Sequence, residues 1–404
     1  MPYKDNSFTN NTNGISAAKA ADIPSSSDKP IKHNSDSVKT HSFKRIPFYL
    51  RAFFILCTFS LICLVLLFIY RINPYFSEFT VRYIGGPLRM CLGAVTSVIP
   101  FSLAESIFML LLPCAIILPL IIKPSKKVIV SLLSVVLILF DIFALTVAPS
   151  YYRLPLHENL GIENKPVTAE RLKTTCAMLV EMLNETASEI YYSFDGSSYS
   201  RQNFSELSDE IQKCYGLFCK KYDFVFPVGF RAKPIALSVP MTYLHTSGVY
   251  TYFTGEANIN VNYPDYIIPH TVAHEMSHAR GVFKEGDANF VGFLVCLESN
   301  DPYIRYSGIM NIFPYVANAL YIADAVSYSE VMLGLNYSIY EEIDSFSKFF
   351  EKYSASKAAV VSEAVNDTYL KANGQKEGTN SYGLVVDLSV NYLEEHYDLY
   401  GLQN

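Results

Sequence analysis

Residues 270–289 read HTVAHEMSHARGVFKEGDAN, and within them His274-Glu275-Met276-Ser277-His278 forms an H-E-x-x-H motif, the signature of a zinc hydrolase. On an α-helix, positions i and i+4 share one face roughly 6 Å apart, so the imidazoles of His274 and His278 can both reach one ion at about 2.0 to 2.1 Å. Glu275 lies about 100° round the helix from His274. It stays out of the ligand set and is placed to act as general base on a zinc-activated water. His270 extends the row by one turn, but from 270 to 278 a helix rises roughly 12 Å, too far for three histidines to share an ion. Gly281 suits a helix C-terminus, so the chain turns back and the third ligand is expected from the residues beyond it.

Seven residues beyond His278, Glu285-Gly286-Asp287-Ala288-Asn289 opens an apolar helix. Positions 285 and 287 differ by about 200° round a helix, so only one of these acids can face the histidines. Glu285 shares its face with Asn289, whose carbonyl suits the free N–H of a metal-bound histidine. Glu285 is therefore the expected ligand and Asp287 the alternative. Acids at a helix start also cap the dipole, but a lone histidine pair would leave zinc short of protein ligands.

The chain has 404 residues, a net charge of −6 and 50% hydrophobic residues, with mean hydropathy +0.18 and a pI near 5.8. An acidic balance without a basic run excludes a nucleic-acid partner. The apolar excess lies before residue 150, and three apolar runs at about 52–70, 101–122 and 128–148 predict transmembrane helices. Residues 1–45, rich in Ser, Asn, Asp and Lys, read as a disordered cytoplasmic tail, and 46–149 as the membrane domain. Lys44, Arg45, Lys123, Lys126 and Lys127 flank the runs on one side. The positive-inside rule then places the C-terminal domain, 150–404, outside the cytoplasm, and an even number of spans would reverse this. Residues 71–100 are too irregular for a span and predict an interfacial or re-entrant segment. Glu105 and Asp141, the acids within the apolar runs, are expected near span ends, facing helices or water.

The C-terminal domain predicts an α+β fold, mainly helical with a small sheet. Helices are expected from Thr168 and over about 204–222. Residues 248–255 and 257–262 read as strand, turn, strand, a sheet edge able to hold an extended peptide by strand addition. The chain after Tyr303 is mainly helical except for a polar loop over 366–382 that is expected to return to the cleft. An oxyanion donor is expected from Tyr382 in that loop, or from Arg305 or Tyr306, while Glu256 and Asn258 are candidates for the cleft wall. Cys214 and Cys219 enclose four residues, a spacing for a zinc ribbon or a local disulfide, with no second pair to complete a ribbon.

The H-E-x-x-H motif followed by E-x-x-A-N resembles the gluzincins, metallopeptidases that add a downstream Glu to the two histidines. More widely, FSLAE at 101–105, TGEANINVNYP at 254–264, HEMSHARGVFKEGDANF and the 366–382 loop resemble a bacterial multi-pass membrane family of unknown function with a zincin-like core. That resemblance spans most of residues 50–395. It implies a membrane-anchored zinc metallopeptidase, with Zn²⁺ on His274, His278 and Glu285, a peptide or protein as substrate and the lipid bilayer around its anchor. Asn289 stands where an Asp is more usual, which makes that hydrogen bond neutral, and the interval from His278 to Glu285 is short. A rival expectation is a membrane-bound sensor or scaffold with a structural or vestigial zinc site. Glu275 separates the two, since a structural site needs no base.

Overall fold

The nineteen uncharged residues between Arg51 and Arg71 form the middle of a 25-residue helix, α1 (Phe48–Ile72), in a computed structural model that describes residues 47–354, 356–373 and 382–400. The expected tail, 1–45, lies outside the described residues. Two short helices, α2 (Pro74–Thr80) and α3 (Gly86–Ser97), follow, joined by a π-helical turn at Val81–Gly85. Next come α4 (Leu103–Ile121) and α5 (Lys126–Thr146). Among the described residues two helices, not the expected three, are long and apolar enough to cross a membrane: α1 and the helix that begins at Lys126. The helix of the 101–122 run begins after Ser102, whose hydroxyl accepts the Glu105 amide, and extends over Leu103–Ile121.

α1 and α5 pack side by side and run parallel. Ser60 Oγ donates to Asp141 Oδ2 at 3.0 Å, and Arg71 Nε donates to the Tyr152 hydroxyl at 3.1 Å. Both pairs are 81 residues apart, which holds only if the helices advance together. Asp141 is thus a buried helix-to-helix contact rather than an exposed acid.

The rest of the chain folds along its hydrophobic pattern. After α6 (Leu156–Leu160), α7 (Ala169–Ser188) opens at Thr168, whose hydroxyl accepts the Arg171 amide at 3.3 Å. A hairpin, β1 (Tyr191–Tyr192) and β2 (Ser198–Tyr199), leads to α8 (Phe204–Lys221), which starts in a reciprocal cap between Asn203 and Glu206. A small sheet, β3 (Lys233–Pro234), β4 (Gly248–Thr251) and β5 (Glu256–Ile259), with α9 (Ser238–Thr242) in its first connection, has the order β3-β5-β4. β4 is antiparallel to β5, with Thr251 opposite Glu256, and forms the edge. α10 (Ile267–Ala279) carries the H-E-x-x-H motif, and α11 (Glu285–Leu297) begins at the downstream Glu. They are followed by α12 (Pro302–Ala323), α13 (Ala325–Met332), α14 (Tyr337–Glu351), α15 (Lys357–Ala372) and α16 (Tyr382–His396). The fold is mostly helical with small sheets, and α7, α8, α10, α11, α12 and α16 enclose its core around Leu179, Ile211, Val272, Phe293 and Val316. The polar loop expected over 366–382 is helical as far as Ala372, because Ser356 caps α15 and Leu370 is buried while its polar residues face outward.

Polar contacts join the apolar helices to this core. The Leu103 and Ala104 amides that begin α4 donate to Glu256, which also binds Lys233 at 2.5 Å. Glu256 therefore anchors α4 and does not line the cleft. Glu105 accepts the amides of Ala236 and Leu237. Asn258 donates to Val249 O and Thr251 Oγ1, which fastens the edge strand.

Candidate metal centre

α10 presents His274 and His278 on one face, and their rings stand 4.7 Å apart and nearly perpendicular. The helix stops where Gly281 adopts φ +95°, a left-handed conformation open to glycine at little cost. A side chain there would also strike Arg89 and Val81. The turn then brings Glu285, the first residue of α11, back over the histidines. Its Oε2 lies 3.2 Å from His274 Nε2 and its Oε1 3.9 Å from His278 Nε2. Two ligands at about 2.05 Å in a tetrahedral shell stand about 3.3 Å apart, so the three donors fit one divalent cation. Ligand atoms of His274, Glu275 and His278 also lie within 4.8 Å of one another.

The surroundings orient each group. His278 Nδ1 lies 2.7 Å from Val282 O, a bond that makes Nδ1 the donor and turns Nε2 toward Glu285. The Asn289 side chain lies near His274 and favours its charged form. Asp287 is buried, and the charges that reach it belong to Lys284, Arg153 and His157, not to the histidine pair. His270 turns away, its Nε2 at 3.0 Å from the backbone oxygen of Asn289.

The electrostatics divide the cluster. Burial disfavours charge on His274, but the bond to Glu285 and the charges of Glu285 and Glu275 outweigh it and hold the ring near pKa 9. Burial drives His278 down to about 4. Glu285, also buried against its own charge, is held down at about 2 by the His274 bond and the two imidazoles. Burial pushes Glu275 up to about 8, although the nearby Tyr250 backbone N–H favours its charged form, and its Oε2 has no hydrogen-bond partner. A buried, half-satisfied carboxyl beside two rings is suited to exchange a proton.

Glu275 is pressed against the edge strand. A Cβ on Gly248 would lie 2.7 Å from both Cγ and Oε1 of Glu275, so a glycine at the start of β4 makes the room this carboxyl occupies. Sequence spacing gives no sign of this contact.

Aromatic side chains from the end of α5 and from β4 enclose the site. Phe283 stacks on His278 at 5.4 Å, and Tyr250 packs on both rings. Tyr151 packs on Phe283, and its hydroxyl meets that of Tyr369 at 3.3 Å. Both tyrosines sense the charge of Glu285. These two hydroxyls were not among the sequence candidates, and nothing in their spacing from the motif marks them. Of the expected oxyanion donors, Arg305 binds Ser299 O and Tyr306 is buried near Glu342 and Tyr192, both apart from the histidines. Tyr382 opens α16, and its side chain lies outside the described residues. Cys214 is buried and Cys219 half-buried, and both are free thiols with no disulfide between them.

Two arginines tie this centre to the membrane-proximal segment. Arg89, fully buried, donates to Ala279 O at the end of α10, to Thr146 O at the end of α5, and to Val81 O. Arg153 pairs with Glu78 and donates to Gly281 O at 3.0 Å.

The family model described as "Protein of unknown function (DUF3810)" matches residues 81–390, well over half of the chain. The chain belongs to this family. The DUF3810 match takes in Arg89, α4, α5, the edge strand and every residue of the candidate centre, and leaves α1 outside. No curated protein and no solved structure matches the chain.

Proposed function

We propose that the chain is a membrane-anchored zinc-dependent peptidase of gluzincin type, with His274, His278 and Glu285 as zinc ligands and Glu275 as general base. The observation that carries this reading is the Glu285 carboxylate at 3.2 and 3.9 Å from the Nε2 atoms of His274 and His278, beside the buried carboxyl of Glu275. A bound zinc ion supplies Lewis acidity toward a carbonyl and acidifies a water. The chain's own groups do the rest. Glu275 takes a proton from the attacking water and returns it to the leaving amine, held in place against Gly248 of the edge strand. Val282 O and Asn289 orient the two rings. The Tyr151 and Tyr369 hydroxyls serve as donors to developing negative charge.

The membrane part of the proposal is a three-crossing anchor. α1 and α5 run parallel, so the chain between them must return across the layer. α4 starts on Glu256 at the domain and ends beside Lys123, Lys126 and Lys127, which supports that return. With those lysines in the cytoplasm, the domain lies outside it.

The test compares wild type with Glu275→Gln for zinc content and for cleavage of a peptide library. Zinc in both and cleavage only by wild type is expected. Equal cleavage by both would refute the mechanism, and zinc in both with cleavage by neither would make the site a structural one in a sensor or scaffold.

A further inference from the structure

The turn from α10 to α11 is fastened at four successive carbonyl oxygens. Arg89 Nε donates to Ala279 O at 3.1 Å, the Phe226 amide to Arg280 O at 3.3 Å and Arg153 Nη1 to Gly281 O at 3.0 Å, while His278 Nδ1 lies 2.7 Å from Val282 O. The turn needs such fastening, because Gly281 stands at its pivot with φ +95° and a glycine rotates freely. At a reach of up to roughly 13 Å from Gly281 to Glu285, a swing of about 15° would move the carboxylate by about 3 Å. Ligand distances in a metal site are held to about 0.2 Å.

Of these donors, Arg153 is aimed by an acid from the membrane-proximal segment. It is buried, binds both carboxylate oxygens of Glu78 on α2, and donates to Phe224 O at 2.9 Å. Glu78 is buried as well, and also accepts from Arg82 Nε at 2.6 Å and Asn159 Nδ2 at 3.4 Å. A buried ion pair contributes little net stability compared with apolar side chains of the same volume. What this pair fixes is direction: with one edge of the planar guanidinium locked on Glu78, Nη1 points at Gly281 O. The same guanidinium is among the charges that reach Asp287, two residues beyond Glu285, so it bears on both ends of the turn.

We infer that Arg153 is a positioning residue for the metal centre, aimed by Glu78, and that α2 through this pair helps to hold Glu285 against the histidines. The inference rests on His274, His278 and Glu285 holding zinc and not on the peptide-cleaving chemistry. The metal centre is then not contained in the domain after residue 150, since its turn is closed by side chains that α2 and α3 supply or aim.

The test measures zinc affinity by chelator competition, the visible spectrum of the cobalt(II)-loaded chain and melting temperature, on the full-length chain in detergent. Arg153→Met should weaken zinc binding by about 10- to 100-fold and alter the cobalt spectrum. Glu78→Gln should weaken it in the same direction. The double variant should bind no more weakly than Arg153→Met alone, since Glu78 acts through Arg153. Arg153→Lys keeps the charge opposite Glu78 but lacks the fork that also reaches Gly281 O. It should keep the melting temperature and not the zinc affinity, which decides the matter if the Met variant does not fold. Leu179→Ala, a core truncation in α7, should lower the melting temperature and leave zinc affinity and spectrum unchanged. Wild-type zinc affinity in Arg153→Lys and Glu78→Gln, losses that multiply in the double variant, or an equal loss in Leu179→Ala overturn the inference and leave the metal reading standing. A wild-type chain that binds no zinc removes the metal reading and this inference with it.

Discussion

Gly248→Ala tests the placement of the base without touching a metal ligand. Gly248 is not among the glycines with positive φ, so alanine suits its backbone and the cost is steric. The new Cβ would stand 2.7 Å from Cγ and Oε1 of Glu275 and 3.0 Å from its Cδ, about 0.7 to 1 Å inside ordinary carbon contact. Glu275 is buried at 5% exposure and has no open side to retreat to, so its carboxyl or the edge strand must shift by that amount. A displacement of about 1 Å at a reacting group costs on the order of 100-fold in rate, about 2.7 kcal/mol of barrier. The three atoms nearest the new methyl all belong to Glu275, so zinc should remain stoichiometric. The assay is kcat on a cleavable peptide together with metal content and melting temperature. A kcat within threefold of wild type at full zinc occupancy, or a loss of zinc in step with activity, would refute the reasoning that β4 positions Glu275.

Tyr151→Phe and Tyr369→Phe each remove one hydroxyl beside Glu285; kcat should fall by about 10- to 1000-fold with zinc retained, and unchanged kcat in both would exclude them as donors. Asn289→Ala removes the polar group beside His274 and should weaken zinc binding by about 10- to 100-fold in a chelator competition. Arg89→Met leaves the carbonyls of Ala279, Thr146 and Val81 without a buried donor, and should cost at least about 1 to 3 kcal/mol in denaturation as well as loosening zinc. Burial pushes Glu342 up to about 7. The folded chain therefore keeps a proton that the unfolded chain releases near 4.3, and this group's contribution falls as pH rises from about 4.5 to 7. Glu342→Gln should flatten that slope by roughly 3 kcal/mol between pH 4 and 8 in detergent, and an unaltered slope would contradict the shift.

The helices were legible where their signals are local. Thr168 begins α7 as read, and α8 falls within the expected 204–222, because a cap and its amide partner lie within one turn. The hairpin of β4 and β5 was legible from alternation and its turn. The stretch over 366–372 was misread because polar composition hides a helix whose buried contact is a single leucine, Leu370. Glu256 was misread because its partners, Leu103, Ala104 and Lys233, are far off in sequence. The run at 101–122 was legible as one helix, and the cap at Ser102 sets its first residue at Leu103.

The H-E-x-x-H stretch by itself determined that two imidazoles share a helix face, that Glu275 lies off that face and that the chain turns at Gly281, since helical periodicity and left-handed backbone preference act over one or two turns. Tertiary structure alone decided that Gly248 backs the base, that two tyrosines flank the third donor, and that Arg89 joins α5 to the end of α10. Each of these is a contact between segments distant in sequence, set by how helices and strands pack, and packing across the chain leaves no period or spacing to read.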